Sequence, residues 1–192
     1  MTYTNVYRNF WSEDVLQAIS VKITDWSNNK LSMEKAPDQP TEHSDVCASG
    51  TILVHDLSGD VELVKILKHE LMPVCDTSTL NWIKVQILIY MPGSYMPWHN
   101  DGPYCFVSST YLNYEAWDWN WGGALLVSQQ LKENEPQTFY AEFPEYNKMV
   151  TYKGKDGNLF HGTSRMSEDS IPRISLQVFA HTQTPDWTHH KV

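Results

Sequence analysis

The chain has 192 residues, of which 41% are hydrophobic and 19% are charged. This composition excludes disorder for most of the chain, and the length favours a single domain over residues 1–192 with one core. The formal net charge of −9 repels phosphate backbones and anionic lipid surfaces at long range. We therefore expect no nucleic-acid partner.

The cysteines and the first residues bear on the compartment. The three cysteines lie far apart without a CxxC pair, and an odd number cannot all be bridged internally, which favours thiols in a reducing compartment. The opening MTYTNVYRNFWSEDV has neither a basic region nor an apolar run, and no apolar stretch is long enough to span a membrane. A cytoplasmic protein without membrane association is predicted.

The first part of the chain predicts a helix followed by a long loop. Ser12 is a candidate N-cap for a helix over residues 12–22, with two acidic residues in its first turn. Its apolar residues fall on one face: Val15, Leu16 and Ile19. Residues 26–50 are polar and contain two prolines, which predicts a loop that could close over a substrate as a lid.

A short strand and a second helix follow the loop. Residues 51–57, TILVHDL, predict the strand, and the Ser-Gly-Asp sequence at 58–60 opens a helix that Pro73 ends. Apolar residues at helical spacing predict its buried side: Val61, Val64, Leu67 and Leu71. Residues 1–80 are thus interpreted as helical support and a long loop.

Beyond residue 80 the pattern changes to short β-strands. Six runs are rich in β-branched and aromatic residues and are separated by turn sequences: 82–91, 104–113, 123–129, 137–143, 147–154 and 173–181. Many short strands without intervening helices favour a sandwich or jelly roll over a parallel sheet. The predicted fold is mainly β, of the α+β class, with supporting N-terminal helices. Its core spans residues 82–181, and residues 182–192 form a tail.

The motif WHNDG contains two candidate metal ligands, His99 and Asp101. Residues i and i+2 of a strand project to the same face, so the imidazole and the carboxylate would converge. They would supply two of the three ligands in a two-histidine, one-carboxylate site for non-haem iron. A His-x-Asp pair is also common by chance, and a hydrogen-bonded turn is the alternative.

The third ligand is sought among the remaining histidines. His161, in NLFHGT, follows His99 by 62 residues with β-runs between them, as a double-layered fold requires. Four histidines lie in polar or charged surroundings and are interpreted as solvated: His43, His69, His189 and His190. His55 and His181 lie in β-like runs and are interpreted as histidines of the core.

Arg173 begins the apolar strand RISLQVF. A buried guanidinium needs an anionic partner, and its planar fork suits a carboxylate. That partner is either an internal Asp or Glu or a dicarboxylate cosubstrate. A structural zinc site would have no need of such an anchor, so Arg173 favours a cosubstrate-dependent enzyme over a zinc-binding structural protein.

The combination of His99, Asp101, His161 and Arg173 resembles the pattern of the Fe(II)- and 2-oxoglutarate-dependent oxygenases, and within them the prolyl-hydroxylase-like branch. The similarity extends over residues 84–181. TYLN at 110–113 and GGALLV at 122–127 resemble segments of that branch at matching spacing, and YMPG at 90–93 resembles its Tyr-Pro-Gly turn with one extra residue.

The resemblance implies a cupin-like jelly-roll core, a double-stranded β-helix, that binds Fe(II) through the two histidines and the aspartate of the motif. It implies that the distal carboxylate of 2-oxoglutarate pairs with Arg173 and with the hydroxyl of Tyr111. Tyr90 would line the same pocket, with Leu125 packed near it. Cofactors would be Fe(II), 2-oxoglutarate and O2, with ascorbate as a reductant.

The implied reaction is hydroxylation of an unactivated C–H bond with release of succinate and CO2. The branch favours a prolyl residue in a peptide or protein as substrate, and Trp117 and Trp119 are candidate contacts for its ring. The same tryptophans could instead cover the end of the β core. A free amino acid or other small metabolite is an alternative substrate, and a non-enzymatic cupin-like metal- or ligand-binding module is the alternative outside the enzymes.

Overall fold

A computed structural model describes residues 4–29, 34–35, 49–99, 101, 104–129, 138–152 and 159–182. Two helices and eleven strands make up the described part of the chain. In chain order they are β1 (Thr4–Arg8), α1 (Glu13–Asn29), β2 (Glu34–Lys35), β3 (Ile52–Asp56), α2 (Val61–Leu71), β4 (Trp82–Tyr90), β5 (Met96–His99), β6 (Phe106–Tyr111), β7 (Leu125–Gln129), β8 (Thr138–Glu142), β9 (Lys148–Tyr152), β10 (Leu159–Thr163) and β11 (Arg173–His181).

The strands form two antiparallel sheets. The larger sheet has the order β1-β9-β6-β11-β4-β3-β2, and the smaller has the order β5-β10-β7-β8. Strands β4 to β11 are thus divided equally between the sheets, four in each, with neighbours that are distant in sequence. This is the arrangement of a jelly roll, and it confirms the mainly β fold with a double-stranded β-helix core.

The two faces of the larger sheet have different partners. Residues 83, 85, 87 and 89 of β4 belong to the core beneath the helices, to which α1 contributes Val15, Leu16 and Ile19 as predicted. The buried stripe of α2 is Leu63, Leu67 and Leu71, at i+4 spacing. The prediction that Val61 belongs to this stripe is wrong, because the side chain lies at the helix start and is 73% exposed.

Both predicted helix starts have side-chain caps. The Ser12 hydroxyl accepts a hydrogen bond from the backbone N–H of Val15 at 3.4 Å, and the Asp60 carboxylate accepts one from that of Leu63 at 3.1 Å. The predicted end of the first helix at residue 22 is wrong, since α1 continues to Asn29. Residues 13–29 contain neither Pro nor Gly, so the polar composition alone does not end the helix.

The first four residues of the loop predicted over residues 26–50 therefore belong to α1, and residues 34–35 form the short strand β2. Residues 30–33 and 36–48 lie outside the described part of the chain, as do 183–192 of the predicted tail. Neither described helix is long and apolar enough to cross a membrane.

Besides β2, three strands have no counterpart among the predicted runs: β1, β5 and β10. β1 pairs only with β9 at one edge of the larger sheet, and β5 pairs only with β10 at one edge of the smaller. Edge strands need little apolar alternation, and they tolerate a proline such as Pro97, which makes the sequence resemble a turn. β10 contains Gly162, which interrupts the strand pattern in its five residues.

Candidate metal centre and cosubstrate pocket

The pairing of β5 with β10 brings two distant histidines together. His99, the last residue of β5, is the register partner of His161 in the middle of β10. Their ring centroids are 4.1 Å apart, and the planes are inclined at 55°. The Nδ1 atom of His99 lies 2.8 Å from the backbone carbonyl of Pro97. With the proton on Nδ1, this contact leaves Nε2 of His99 as the atom able to bind a metal.

Asp101 completes the cluster. Its Oδ1 atom is 3.4 Å from Nε2 of His99, and its Oδ2 atom is 3.2 Å from Nε2 of His161. The candidate ligand atoms of these three residues all lie within 4.8 Å of one another, and no other such group occurs within the described ranges. Asp101 lies beyond the end of β5, so the prediction that a continuous strand aligns it with His99 is wrong. Asp101 instead contacts His161 from a position outside the strand.

The three side chains hold one another in particular charge states. Burial raises the pKa of Asp101, but the two imidazoles outweigh it and hold the pKa well below its usual range. Burial lowers the pKa of His99, but the hydrogen bond and negative charge of Asp101, together with the Pro97 carbonyl, outweigh it and the pKa is raised. Apart from its contact with Nε2 of His161, the buried Oδ2 of Asp101 has no hydrogen-bond partner among the described residues. Two imidazoles and a charged carboxylate with an unsatisfied oxygen fit a divalent cation, and this donor set is one that Fe(II) accepts.

Arg173 is connected to this cluster through two side chains, because it lies against Tyr90, whose hydroxyl contacts Thr163, two residues after His161. Arg173 begins β11, pairs with Tyr90 of β4 and has no exposed surface. All three guanidinium nitrogens lack a hydrogen-bond partner. The guanidinium carbon lies 4.6 Å from the ring centre of Tyr90 and 5.0 Å from that of Tyr111. The internal carboxylate that sequence reasoning kept open as its partner is thus not found among the described residues.

A ligand carboxylate would satisfy this buried charge, because an unpaired guanidinium in an apolar interior is costly. Ser175 lies two residues further along β11 and therefore on the same face. Its hydroxyl is also buried without a hydrogen-bond partner. Ser175 was missed in the sequence, although its spacing of two from Arg173 was a signal that could have found it.

Comparisons with known proteins agree with this geometry. Residues 85–181 match the family model described as the 2OG-Fe(II) oxygenase superfamily. The chain belongs to the 2OG-Fe(II) oxygenase superfamily. A comparison of the sequence with curated proteins finds no match.

Several solved structures share the fold of this oxygenase. A prolyl-4-hydroxylase from Pseudomonas putida is 14% identical with a TM-score of 0.67, and the match covers 95% of this chain and 94% of that one. A prolyl hydroxylase from Trichoplax adhaerens, in complex with a hypoxia inducible factor oxygen degradation domain peptide fragment, is 14% identical with a TM-score of 0.70, covering 94% and 84% of the two chains. A 2OG-Fe(II) oxygenase family protein from Burkholderia pseudomallei is 16% identical with a TM-score of 0.56, covering 94% and 86%.

Membership of the superfamily makes this chain a 2-oxoglutarate-dependent dioxygenase, for which Fe(II), 2-oxoglutarate and O2 are the implied cofactor and cosubstrates. The cluster of His99, Asp101 and His161 fits the metal, and unpaired Arg173 fits the dicarboxylate. The fold itself is of the prolyl-hydroxylase type.

Two tyrosines and a leucine predicted to line the oxygenase pocket lie around Arg173. The Tyr111 hydroxyl donates to the backbone carbonyl of Glu142 at 2.9 Å, and burial raises the pKa of Tyr111 to about 12. The Tyr90 hydroxyl accepts a weak hydrogen bond from Thr163 at 3.4 Å. Leu125 packs in the same cluster as Tyr111. Because the proton of Tyr111 is already donated, this hydroxyl would have to rotate to donate to a ligand.

The two tryptophans singled out in the sequence have different surroundings in the oxygenase. Trp117 packs against the cluster that includes Tyr90, and its indole N–H donates to the carbonyl of Gly122 at 2.9 Å. A Cβ atom on Gly123, where φ is +70°, would lie 3.1 Å from Trp117 and 3.2 Å from Cδ of Arg173, so this glycine separates the two side chains. Trp119 is 75% exposed and stacks on Phe143 at 5.1 Å. A substrate role for either tryptophan stays a prediction.

An aromatic cluster at the metal end was missed in the sequence. Trp82 stacks on Tyr104 with centroids 5.6 Å apart and planes 9° apart, and Phe179 contacts Tyr104 at 5.1 Å. Burial, with a smaller contribution from the charge of Asp101, raises the pKa of Tyr104 to about 12. The three residues come from β4, β11 and the segment before β6, and no sequence spacing connects them.

Proposed function

We propose that this oxygenase hydroxylates an unactivated C–H bond of a prolyl residue in a peptide or protein. Its 2-oxoglutarate would be converted to succinate and CO2, and ascorbate would act as the reductant that keeps iron ferrous. The observation that carries the proposal is the cluster of His99, Asp101 and His161 together with the buried guanidinium of Arg173, which has no hydrogen-bond partner among the described residues.

The contacts that connect Arg173 to the metal ligands are compatible with a five-carbon dicarboxylate between them. Thr163 contacts the Tyr90 hydroxyl, and Tyr90 is the register partner of Arg173. His161 lies two residues before Thr163 on β10, which corresponds to roughly 7 Å along the strand. Four carbon–carbon bonds span about 5 Å. A 2-oxoglutarate molecule bound at Arg173 would therefore present its oxo-acid end to the three metal ligands.

Each residue then has a stated task. His99, Asp101 and His161 hold Fe(II), and the carboxylate of Asp101 offsets part of the cation charge. Arg173 binds the distal carboxylate, with the hydroxyl groups of Tyr111 and Ser175 as further donors. When bound, iron and 2-oxoglutarate supply the oxidising chemistry with O2. The protein positions the metal and the cosubstrate and excludes water from the site.

The substrate assignment rests on the aromatic cluster at the metal end, Trp82, Tyr104 and Phe179, and on the prolyl-hydroxylase type of fold. Aromatic faces suit the apolar ring of proline, and they leave few polar groups that a charged small molecule would need. Among the fold neighbours, the protein from Trichoplax adhaerens binds a peptide fragment. Trp117 packs on the side of Arg173 and Trp119 is exposed, so Trp119 is the one of the two proposed to contact a peptide beyond the pocket.

The test is a peptide screen. Purified protein is incubated with Fe(II), 2-oxoglutarate, ascorbate and a proline-containing peptide library, and mass gains of one oxygen are recorded by mass spectrometry. We expect oxidised proline in a subset of peptides, lost when the proline of such a peptide is replaced by alanine. Succinate release that is stimulated by free amino acids but by no peptide would overturn the prolyl assignment.

A further inference from the structure

Two neighbouring loops of the β core carry aromatic side chains that stack on one another in pairs. Tyr114, in the loop after β6, stacks on Tyr146, in the loop before β9, with ring centroids 4.1 Å apart and planes 28° apart. Trp119 of the first loop stacks on Phe143 of the second, with centroids 5.1 Å apart and planes 26° apart. The two loops therefore lie side by side. We call these four residues the aromatic ladder.

The aromatic ladder presents apolar surface to solvent. Tyr114 is 68% exposed and Trp119 is 75% exposed, while their stacking partners Tyr146 and Phe143 are half-buried. Single exposed apolar residues are common on protein surfaces, but a contiguous apolar patch with a polar rim is typical of an interaction site. The ladder is therefore a candidate contact surface for another molecule.

The ladder lies at the end of β9 that is remote from the candidate metal ligands. Tyr146 precedes Lys148, the first residue of β9, by two residues, whereas Tyr152 ends the strand and its ring contacts that of His161 with centroids 4.5 Å apart. Four residues of strand span roughly 13 Å. A molecule on the ladder would thus occupy a surface separate from the metal ligands.

Carboxylates alternate with the rings of the ladder and determine the charge of its partner. Glu115 and Asp118 lie between the two ladder residues of the first loop, and Glu145 lies between those of the second; all three are exposed. Glu145 is paired with Arg8 and Lys148, whereas Glu115 and Asp118 have no ion pair within the described ranges. A second copy of the chain would bring the same negative charges against these carboxylates, so a cationic partner is favoured.

The spacing of the rings suits one type of polypeptide conformation. Phe143 and Tyr146 are three residues apart, so their Cα atoms are separated by at most about 10 Å. A polyproline II helix repeats every three residues, or about 9 Å, and such segments bind to surfaces lined by aromatic side chains. Prolines three residues apart would therefore meet both aromatic pairs, and basic residues between them would reach the carboxylates.

We propose that the aromatic ladder is a docking surface for a basic, proline-containing polypeptide segment in the polyproline II conformation, with proline rings on its two aromatic pairs and Lys or Arg side chains beside Glu115 and Asp118. This inference deepens the peptide contact proposed for Trp119, and it rests on the proposed function for the class of partner, a polypeptide. The docked segment need not contain the proline that is hydroxylated, because the ladder is separate from the metal ligands.

The experiment measures peptide binding rather than turnover. The probe is a synthetic peptide of Arg-Pro-Pro triplets, about twelve residues long and so roughly four polyproline II turns. It is titrated calorimetrically into the full chain with Fe(II) and 2-oxoglutarate under anaerobic conditions. Trp119→Ala and Tyr114→Ala should each weaken binding at least about tenfold, as expected for an aromatic anchor of an interface. Peptides of Glu-Pro-Pro or of Arg-Ala-Ala triplets should bind at least about tenfold more weakly than the probe.

Two further variants test the apolar and the charged contributions. Met72→Ala removes a side chain that is 56% exposed at the end of α2, outside the ladder, and should leave the affinity for the probe unchanged. The double variant Glu115→Gln, Asp118→Asn should weaken the probe about threefold at low salt, and the difference from wild type should disappear near 1 M salt, where exposed charges are screened. Melting temperatures confirm that each variant is folded.

The outcomes separate this inference from the proposed function. Equal binding of the probe by wild type and Trp119→Ala, no binding by wild type, or equal binding of the Glu-Pro-Pro peptide would overturn the docking surface. A concentration-dependent dimer that Trp119→Ala disperses would assign the ladder to a second copy of the chain and would also overturn it. The proposed function is tested separately, because the peptide screen detects oxidised proline whether or not the ladder binds the probe.

Discussion

His99 and His161 are direct partners across the antiparallel pair β5 and β10, although 61 residues separate them in the chain. Their position depends on an edge strand of four residues that pairs on one side only. A metal bound by these two histidines and Asp101 would add a further connection between β5 and β10. Metal binding should therefore stabilise the fold as well as supply the chemistry.

Removal of one metal ligand should abolish metal-dependent stabilisation without unfolding the protein. A metal present at a hundredfold excess over its dissociation constant adds about 2.7 kcal/mol, which raises the melting temperature of a chain of this size by roughly 5–10 °C. We expect this increase in wild-type protein and not in His161→Ala or Asp101→Asn, with oxoglutarate turnover lost in both. The measurement is thermal unfolding with and without Mn(II) or Fe(II). Full activity in either variant would remove that residue from the metal site.

Arg173 should be required for cosubstrate binding and not for folding. Because its buried guanidinium has no hydrogen-bond partner, Arg173→Met should leave the melting temperature of the ligand-free protein unchanged or higher. The same variant should raise the dissociation constant for 2-oxoglutarate at least about tenfold, the effect of losing a charge-assisted hydrogen bond. The matched control is Arg165→Met, in which an exposed arginine loses only a surface ion pair with Glu168. An unchanged 2-oxoglutarate affinity in Arg173→Met would mean that Arg173 has an internal partner.

The ion pair of Lys148 with Glu142 should stabilise the protein in a pH-dependent manner. Its Nζ and Oε2 atoms are 2.8 Å apart, and Lys148 is almost fully buried. Burial raises the pKa of Glu142, but the bonds from Lys148 and Tyr140 outweigh it and the pKa is lowered. A lowered pKa in the folded state gives stability that is present above the unfolded-state pKa and lost as the pH falls through the folded-state value.

Lys148→Met removes the cation beside the half-buried Glu142 carboxylate and should cost about 1–2 kcal/mol at pH 7. The difference in unfolding free energy from wild type should shrink as the pH falls below about 4.5, because Glu142 is then protonated in the variant and becomes protonated in the wild type. Urea unfolding of both proteins at a series of pH values measures this difference in unfolding free energy. Glu142→Gln is the comparison variant, and a difference that stayed constant down to pH 3 would contradict the assignment.

Asn147 should be a stability determinant that connects the N-terminal segment to the β core. Its Oδ1 accepts from the backbone N–H of Trp11 at 3.0 Å, its Nδ2 donates to the carbonyl of Trp11 at 2.9 Å, and its φ is +52°. Two hydrogen bonds at about 1 kcal/mol each, with about 1 kcal/mol for an alanine in the left-handed region, predict a loss of about 3 kcal/mol for Asn147→Ala.

Asn147→Gly separates the two contributions, because glycine removes the hydrogen bonds and keeps the backbone conformation, so the expected loss is about 2 kcal/mol. Asn9, exposed and at φ +50°, is the matched control, and Asn9→Ala should cost only the backbone term of about 1 kcal/mol. Chemical denaturation measures all three variants. Equal losses in Asn147→Ala and Asn9→Ala would show that the contacts with Trp11 contribute nothing.

The sequence by itself determined the features that depend on local pattern and residue chemistry. The β-runs after residue 80 follow from alternation, the capped start of α2 follows from its capping residue, and the choice of His99, Asp101 and His161 as candidate metal ligands follows from the ligands that Fe(II) accepts. Arg173 was identified because a charged residue at the start of an apolar strand requires an anionic partner.

Only the tertiary structure decided what depends on pairing between distant segments. That Arg173 meets two tyrosine rings and no carboxylate, and that Trp82, Tyr104 and Phe179 form one cluster, follows from strand register, which local composition does not encode. The edge strand β5 and the hydrogen bond from Ser109 to Gln177 likewise exist only once the strands are paired. Local residues specify which chemistry is available, and the pairing of distant strands specifies which groups meet.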